Sequence, residues 1–106
     1  MAQFDVHPNP GRLKGVIPFV VVIQSAVFDN SDRRVVAPLI LAKEFGRVES
    51  KRFNPKFTIN GTEVVLQPLE VVSVPRGLLG RPVENMKSDG QLIIDALDEL
   101  YSQAYG

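Results

Sequence analysis

Lys56-Phe57-Thr58-Ile59-Asn60-Gly61-Thr62-Glu63-Val64-Val65-Leu66-Gln67 is the stretch that sets the class of the fold. Apolar and polar residues alternate on both sides of Asn60-Gly61. An Asn-Gly pair between two such runs is the strongest short hairpin signature, because both residues accept the positive φ of a type I′ turn. The stretch predicts two antiparallel strands, Lys56–Ile59 and Thr62–Gln67.

Toward the N-terminus the same period continues. Arg33–Leu41 reads as a strand, with Pro38 expected to make part of it an edge or a bulge. Ile17–Ser25 is rich in Val, Ile and Phe and reads as a central strand buried on both faces over part of its length. Asp29-Asn30-Ser31-Asp32 between them is a turn cluster of short polar side chains that bond their own backbone. Gln3–His7 alternates as a short strand, and Pro8-Asn9-Pro10-Gly11 ends it in a loop. Ala42–Phe45 reads as a brief helical turn stopped at Gly46, and Arg47–Lys56 as a solvated basic loop.

Toward the C-terminus, Glu70–Val74 reads as one more strand, ended by Pro75. Leu78-Leu79-Gly80-Arg81-Pro82 reads as a loop that packs its leucines. The period then changes from two to 3.6. Met86, Leu92, Ile93, Ala96, Leu97, Leu100 and Ala104 fall on one helical face, and Asp89, Asp95, Asp98, Glu99, Ser102 and Gln103 on the other. Asn85 and Ser88 are the candidate caps. About five short strands and one terminal helix predict a mainly β domain, a strongly bent antiparallel sheet or partial barrel covered by the helix.

The 106 residues fit one domain, 1–106. Twelve Lys and Arg balance twelve Asp and Glu, so no global field attracts nucleic acid or an acidic membrane. That balance also leaves little repulsion between copies, consistent with self-association. The chain has no cysteine, which excludes disulfides and thiolate chemistry. No apolar run approaches the roughly 20 residues of a membrane helix, and no secretory signal is visible at the start. The expectation is a soluble intracellular protein.

No set of residues carries a recognisable reaction. His7 stands alone and reads as an exposed strand-end histidine, without the Cys or carboxylate cluster a zinc site needs. There is no glycine-rich phosphate loop and no nucleophile elbow. Asp29 with Asp32 reads as turn formers, and Asp95, Asp98 and Glu99 as a solvated helix face. Arg33 and Arg34, neighbours on a strand, point to opposite faces and cannot serve one patch. They read as ion-pair partners of Asp29 or Asp32, or as guards of a sheet edge. Arg47, Lys51, Arg52 and Lys56 read as solvated surface. The expectation is no catalytic residue, no metal and no cofactor.

Several segments, taken in order, resemble the CcdB family of toxins from bacterial toxin–antitoxin systems. Gln3-Phe4-Asp5-Val6 resembles the family's opening strand. Phe19-Val20-Val21-Val22-Ile23-Gln24-Ser25 resembles its second strand, which ends in Val-Gln-Ser. Arg33-Arg34-Val35-Val36-Ala37-Pro38-Leu39 resembles its Arg-(Arg/Leu)-x-Val-Ile-Pro-Leu segment, with Ala37 in place of Ile. Ser73-Val74-Pro75 resembles a Ser-Val-Pro that closes a strand before the terminal helix. The resemblance spans nearly the whole chain.

It implies an SH3-like barrel with a C-terminal helix, shared with the MazF and Kid ribonucleases, and a homodimer in the cytoplasm. It implies binding to the A subunit of DNA gyrase, trapping of the cleaved DNA complex, and neutralisation by a CcdA-like antitoxin. Operator DNA would be bound only by the toxin–antitoxin complex. Carried over residue by residue, the gyrase-binding set is Val27 and Phe28 after the Gln-Ser, Asp98 and Tyr101 in the helix, and Ser102, Gln103, Tyr105 and Gly106 at the end. The family closes on an aromatic, Gly and Ile where this chain has Ser102-Gln103-Ala104, followed by Tyr105-Gly106. Two alternatives accompany this reading: a detoxified protein of the same fold serving as an antitoxin-binding corepressor, and a MazF-like ribonuclease using Arg33, Arg34 and His7.

Overall fold

A computed structural model of the chain describes residues 2–102. The strands are β1 (Asp5–Pro8), β2 (Phe19–Val22), β3 (Arg33–Leu41), β4 (Lys56–Ile59), β5 (Thr62–Leu66), β6 (Val72–Pro75) and β7 (Glu84–Asn85). A single α-helix, α1 (Gly90–Ser102), follows them. The sheet order is β4-β5-β3-β2-β1-β7, with β6 paired to β3 beside β5. All the pairings are antiparallel. The result is mainly β, a nearly closed barrel sheet with one C-terminal helix, as expected for the SH3-like barrel.

The hairpin forms as its sequence dictates. Asn60 has φ 49° and Gly61 φ 78°, the two left-handed positions of a type I′ turn. The turn sets the register Ile59 opposite Thr62 and Phe57 opposite Val64. That register turns Phe57, Ile59, Val64 and Leu66 to the interior.

Strand β3 is the spine. One side pairs with β2 throughout Val36–Leu39. The other side pairs first with β6, over Arg33–Val36, and then with β5, over Leu39–Leu41. Pro38 therefore marks neither an edge nor a bulge. Its carbonyl accepts from the Gln67 N–H at 3.2 Å, at the junction where β3 changes partners. The amide a proline lacks would point to that same side, where no ladder bond is due, so the ring costs the sheet nothing.

Strand β2 is buried on both faces, because alternate residues serve two clusters. Val21 joins Val6, Ala37, Leu39 and the hairpin residues in the interior, where Met86, Ile93 and Ala96 close the core. Val20 and Val22 face the other way, against Val36, Leu79 and Val74. Leu79 packs there, but its neighbour Leu78 is exposed.

Two segments depart from the sequence reading. The basic loop before β4 is anchored by Phe53 and Asn54, both buried. Asn54 Nδ2 donates to the Leu66 carbonyl at 3.2 Å, and its Oδ1 accepts from the Glu49 N–H at 2.8 Å. On α1, Ile93 and Ala96 are buried as expected and Leu97 is half-buried, but Leu92 is exposed. Leu92 faces an open groove of about 640 Å³ between the helix and residues 42–56. Ala104 lies outside the described residues. The helix is entered through a short 3-10 turn, Lys87–Asp89, whose first N–H donates to Asn85 Oδ1 at 2.8 Å.

Candidate functional site

The link from β2 to β3 is an ordered turn that displays two apolar side chains. Ser25 Oγ accepts from the Val27 N–H at 3.2 Å and caps a 3-10 turn, Ala26–Phe28. The N–H groups of Phe28, Asp29 and Ser31 donate to the carbonyls of Ser25, Ala26 and Phe28 at 3.0, 3.1 and 3.0 Å. Val27 is left 81% exposed and Phe28 60%. The turn therefore displays two neighbouring apolar side chains in water on a hydrogen-bonded backbone.

Two side chains hold that turn from behind. Gln24 Nε2 donates to the carbonyls of Phe28 and Arg33 at 3.0 and 3.2 Å, while its Oε1 accepts from the Val35 N–H at 2.9 Å. Arg34 is only 2% exposed. It donates from Nη1 to the carbonyls of Ser31 and Arg33, both at 2.8 Å, and from Nη2 to the carbonyl of Asp29 at 2.7 Å. Its Nε is buried without a partner among the described residues.

The arginines do lie on opposite faces, Arg33 exposed and Arg34 buried. The expected pairing with Asp29 or Asp32 is corrected: Arg34 meets the carbonyl of Asp29, not its carboxylate. Arg33 reaches across to β6, with Nε on Ser73 Oγ at 3.0 Å and Nη2 on the Ser73 carbonyl at 2.8 Å. The Val35 carbonyl accepts from the N–H of Ile23, just past β2, and Val35 pairs with Ser73, so the Ser73 carbonyl points away from β3. Arg33 thus covers part of the outer edge of β6, the guarding role weighed for it. Asp32 faces Arg76 instead, at 4.0 Å.

The other members of the carried-over set sit on the last turn of α1. Asp98 and Tyr101, three residues apart, share a helix face, and Tyr101 is 65% exposed. Ser102 is the last residue of the helix. Gln103, Tyr105 and Gly106 lie outside the described residues. The helix end is tied to the loop before β4 by Arg52 Nε and Glu99 Oε2 at 3.1 Å. Val27 and Phe28 are therefore together on one turn, and Asp98 and Tyr101 together on a different element.

His7 is not an exposed strand-end residue. It is 0% exposed, within β1 opposite Val20, and its Nδ1 lies 2.8 Å from the Gly80 carbonyl. Strand β1 continues through Pro8, so His7 is interior to the ladder rather than at its end. With His7 and Arg34 both withdrawn from solvent, the groups considered for RNA cleavage do not form an open groove. Of the carboxylates, Glu99 pairs with Arg52 and Asp95 accepts from Gln91 Nε2 at 2.8 Å. Among the described residues no cluster of His, Asp or Glu is placed to hold a metal ion. Nor is any described helix long and apolar enough to cross a membrane.

The sequence pointed to Val27 and Phe28 through the resemblance, but missed Gln24 and Arg34 as the groups that shape their turn. The available signal was Gln24 next to a 3-10 cap, with an arginine on the strand that returns.

Comparison with protein families finds one whose description is CcdB protein, matching residues 3–102. Comparison with curated proteins gives no significant match.

Proposed function

The chain belongs to the CcdB family, and from that premise we propose that it is the toxin of a type II toxin–antitoxin pair. Residues 1–106 act as a single toxin domain. The protein works by binding, not by catalysis: a cytoplasmic homodimer docks on the A subunit of DNA gyrase and traps the gyrase–DNA cleavage complex. A CcdA-like antitoxin neutralises it, and the complex of the two represses its own operon at operator DNA. The docking residues are Val27, Phe28, Asp98, Tyr101, Ser102, Gln103, Tyr105 and Gly106. No cofactor or metal takes part.

Beyond the family match, the observation that carries this reading is the Val27–Phe28 pair, exposed on a turn held by its own backbone bonds and by Gln24 and Arg34. Apolar side chains displayed in water on a hydrogen-bonded turn can anchor a partner protein and offer no group for chemistry. A homodimer repeats them about a two-fold axis, which suits a target that is itself two-fold symmetric.

The test incubates purified protein with gyrase and supercoiled plasmid, then adds a denaturant and protease. Linear DNA accumulating with dose is the expected result. Unchanged supercoiling and no linear product at micromolar protein would overturn the proposal.

One observation favours the second reading, a detoxified corepressor. The family match stops at residue 102, and Ser102-Gln103-Ala104 replace the family's aromatic-Gly-Ile ending. On that reading expression causes no growth arrest, yet the protein still tightens operator binding by its antitoxin. Growth arrest on expression removes it.

A further inference from the structure

We propose that Arg34 is a positioning residue for docking: its buried guanidinium sets the shape in which Val27 and Phe28 meet a partner. This rests on the reading that the Val27–Phe28 turn touches the target, and it adds a residue that itself touches nothing outside the chain.

The argument starts from charge. A guanidinium taken out of water is costly unless it is compensated. Arg34 has no ion pair among the described residues and is held by three backbone carbonyls alone, of Asp29, Ser31 and Arg33. Its neighbours on the same strand face are apolar: Val36 two residues along β3, and Val74 directly opposite on β6. A valine or leucine would suit that face and would bring no desolvation cost. What an apolar side chain could not do is gather three carbonyl oxygens that repel one another. Converging acceptors need a cation with several donors in a fixed fork. Guanidinium provides that; an ammonium offers only a point charge on a flexible stem.

The three carbonyls belong to the segment immediately after the exposed pair. Gln24 grips the Phe28 carbonyl, one residue before the first of those three. Between them the backbone from Phe28 to Arg33 is fixed from both ends. The buried Nε, without a partner among the described residues, is a cost the fold carries to keep the two terminal nitrogens where the carbonyls are. A turn so fixed docks without the entropy loss of ordering a loop, and this raises affinity with no added contact.

The test compares full-length Arg34→Met, Arg34→Lys and Gln24→Met with the parent. Three quantities are read: affinity for the purified gyrase A subunit, amide hydrogen exchange at Phe28, Asp29 and Ser31, and thermal unfolding. For Arg34→Met the expected result is about tenfold weaker binding, the scale of a few lost ordering contributions. The three turn amides should exchange faster while those of Val20–Val22 do not. Arg34→Lys should recover only part of the affinity. Unchanged affinity in a folded Arg34→Met protein would overturn the proposal. If that variant does not fold, Arg34→Lys, which keeps a cation at the site, takes its place: a smaller loss of affinity is expected, and unchanged affinity overturns the proposal, while Gln24→Met, at a half-buried site, reports the hold on the start of the turn. The double variant Val27→Ala/Phe28→Ala separates the two ideas. If it binds fully, the turn is not the docking surface and the parent reading fails; if it loses binding while Arg34→Met keeps it, only the positioning role fails.

Discussion

The ring of Phe4 lies against Gly90 so closely that a β-carbon at position 90 would sit 2.7 Å from its Cε2. The backbone of Phe4 is tied in place, so relief must come from its ring. Its backbone has φ 69°, its N–H donates to the Val22 carbonyl at 2.7 Å, and its carbonyl accepts from the Met86 N–H at 2.8 Å. Gly90→Ala should therefore destabilise by about 1–3 kcal/mol through overpacking, against the roughly 1 kcal/mol that alanine would add in an open helix. Adding Phe4→Leu should return part of the loss. A double-mutant cycle from denaturant unfolding checks the coupling, and additive effects would contradict the contact.

At the hairpin, Gly61 has φ 78° with open space around it, so the cost of a side chain there is conformational only. Gly61→Ala should lose about 1–2 kcal/mol. Thermal unfolding should show a fall in Tm of several degrees, at about 4–8 °C per kcal/mol for a domain near this size.

Ile93 and Leu92 are neighbours in α1 with opposite surroundings, one in the core and one facing the open groove. Ile93→Ala should cost about 2–5 kcal/mol by leaving a cavity. Leu92→Ala should cost well under half of that, since its side chain is already half in water. Equal losses would mean the helix is rotated from the position described.

Replacing Val27 and Phe28 with serine should leave the unfolding midpoint nearly unchanged, because both are exposed in the free protein. If they are anchors, affinity for the gyrase A subunit should fall by about 2 kcal/mol or more, near thirtyfold. Surface plasmon resonance on the two proteins decides it.

Deleting residues 104–106 offers a matched comparison for the C-terminal part of the proposed surface. Loss of target binding with an unchanged Tm is expected if Tyr105 and Gly106 dock. A lower Tm with binding retained would move the docking surface to Val27 and Phe28 alone.

The elements legible in sequence were those whose signal is local. Asn60-Gly61 dictates its own turn, and the residues of β3 were delimited by the Asp29–Asp32 turn before them and the helical turn after. Burial was harder to read, because it depends on what arrives from elsewhere in the chain. His7 is buried because Gly80, 73 residues later, supplies a carbonyl for it. Asn54 goes inside because the end of β5 presents it with an acceptor. Pro38 looked disruptive because nothing local reveals that β3 changes partners there. At the candidate site the exposed pair came from family resemblance, while Arg34 looked like a surface charge. Its role exists only once the turn has folded back on it.

Strand β3 joins partners from both directions along the chain: β2, across the short link 23–32, β5, the second strand of the hairpin, and β6, whose Pro75 lies 42 positions beyond its own Arg33. The β2–β3 pairing is local, but those with β5 and β6 cannot form early, since each requires closing a longer loop before any contact offsets its entropy. Assembly of the barrel should then run on the millisecond-to-second scale of non-local β proteins. The hairpin alone can form in about 1–10 μs, and β5 then waits for β3. A newly made chain would spend that interval with the apolar faces of β2 and β3 uncovered, when aggregation and proteolysis compete with folding. The quantity of active protein in a cell would follow the speed at which the spine closes as well as the stability of the finished barrel.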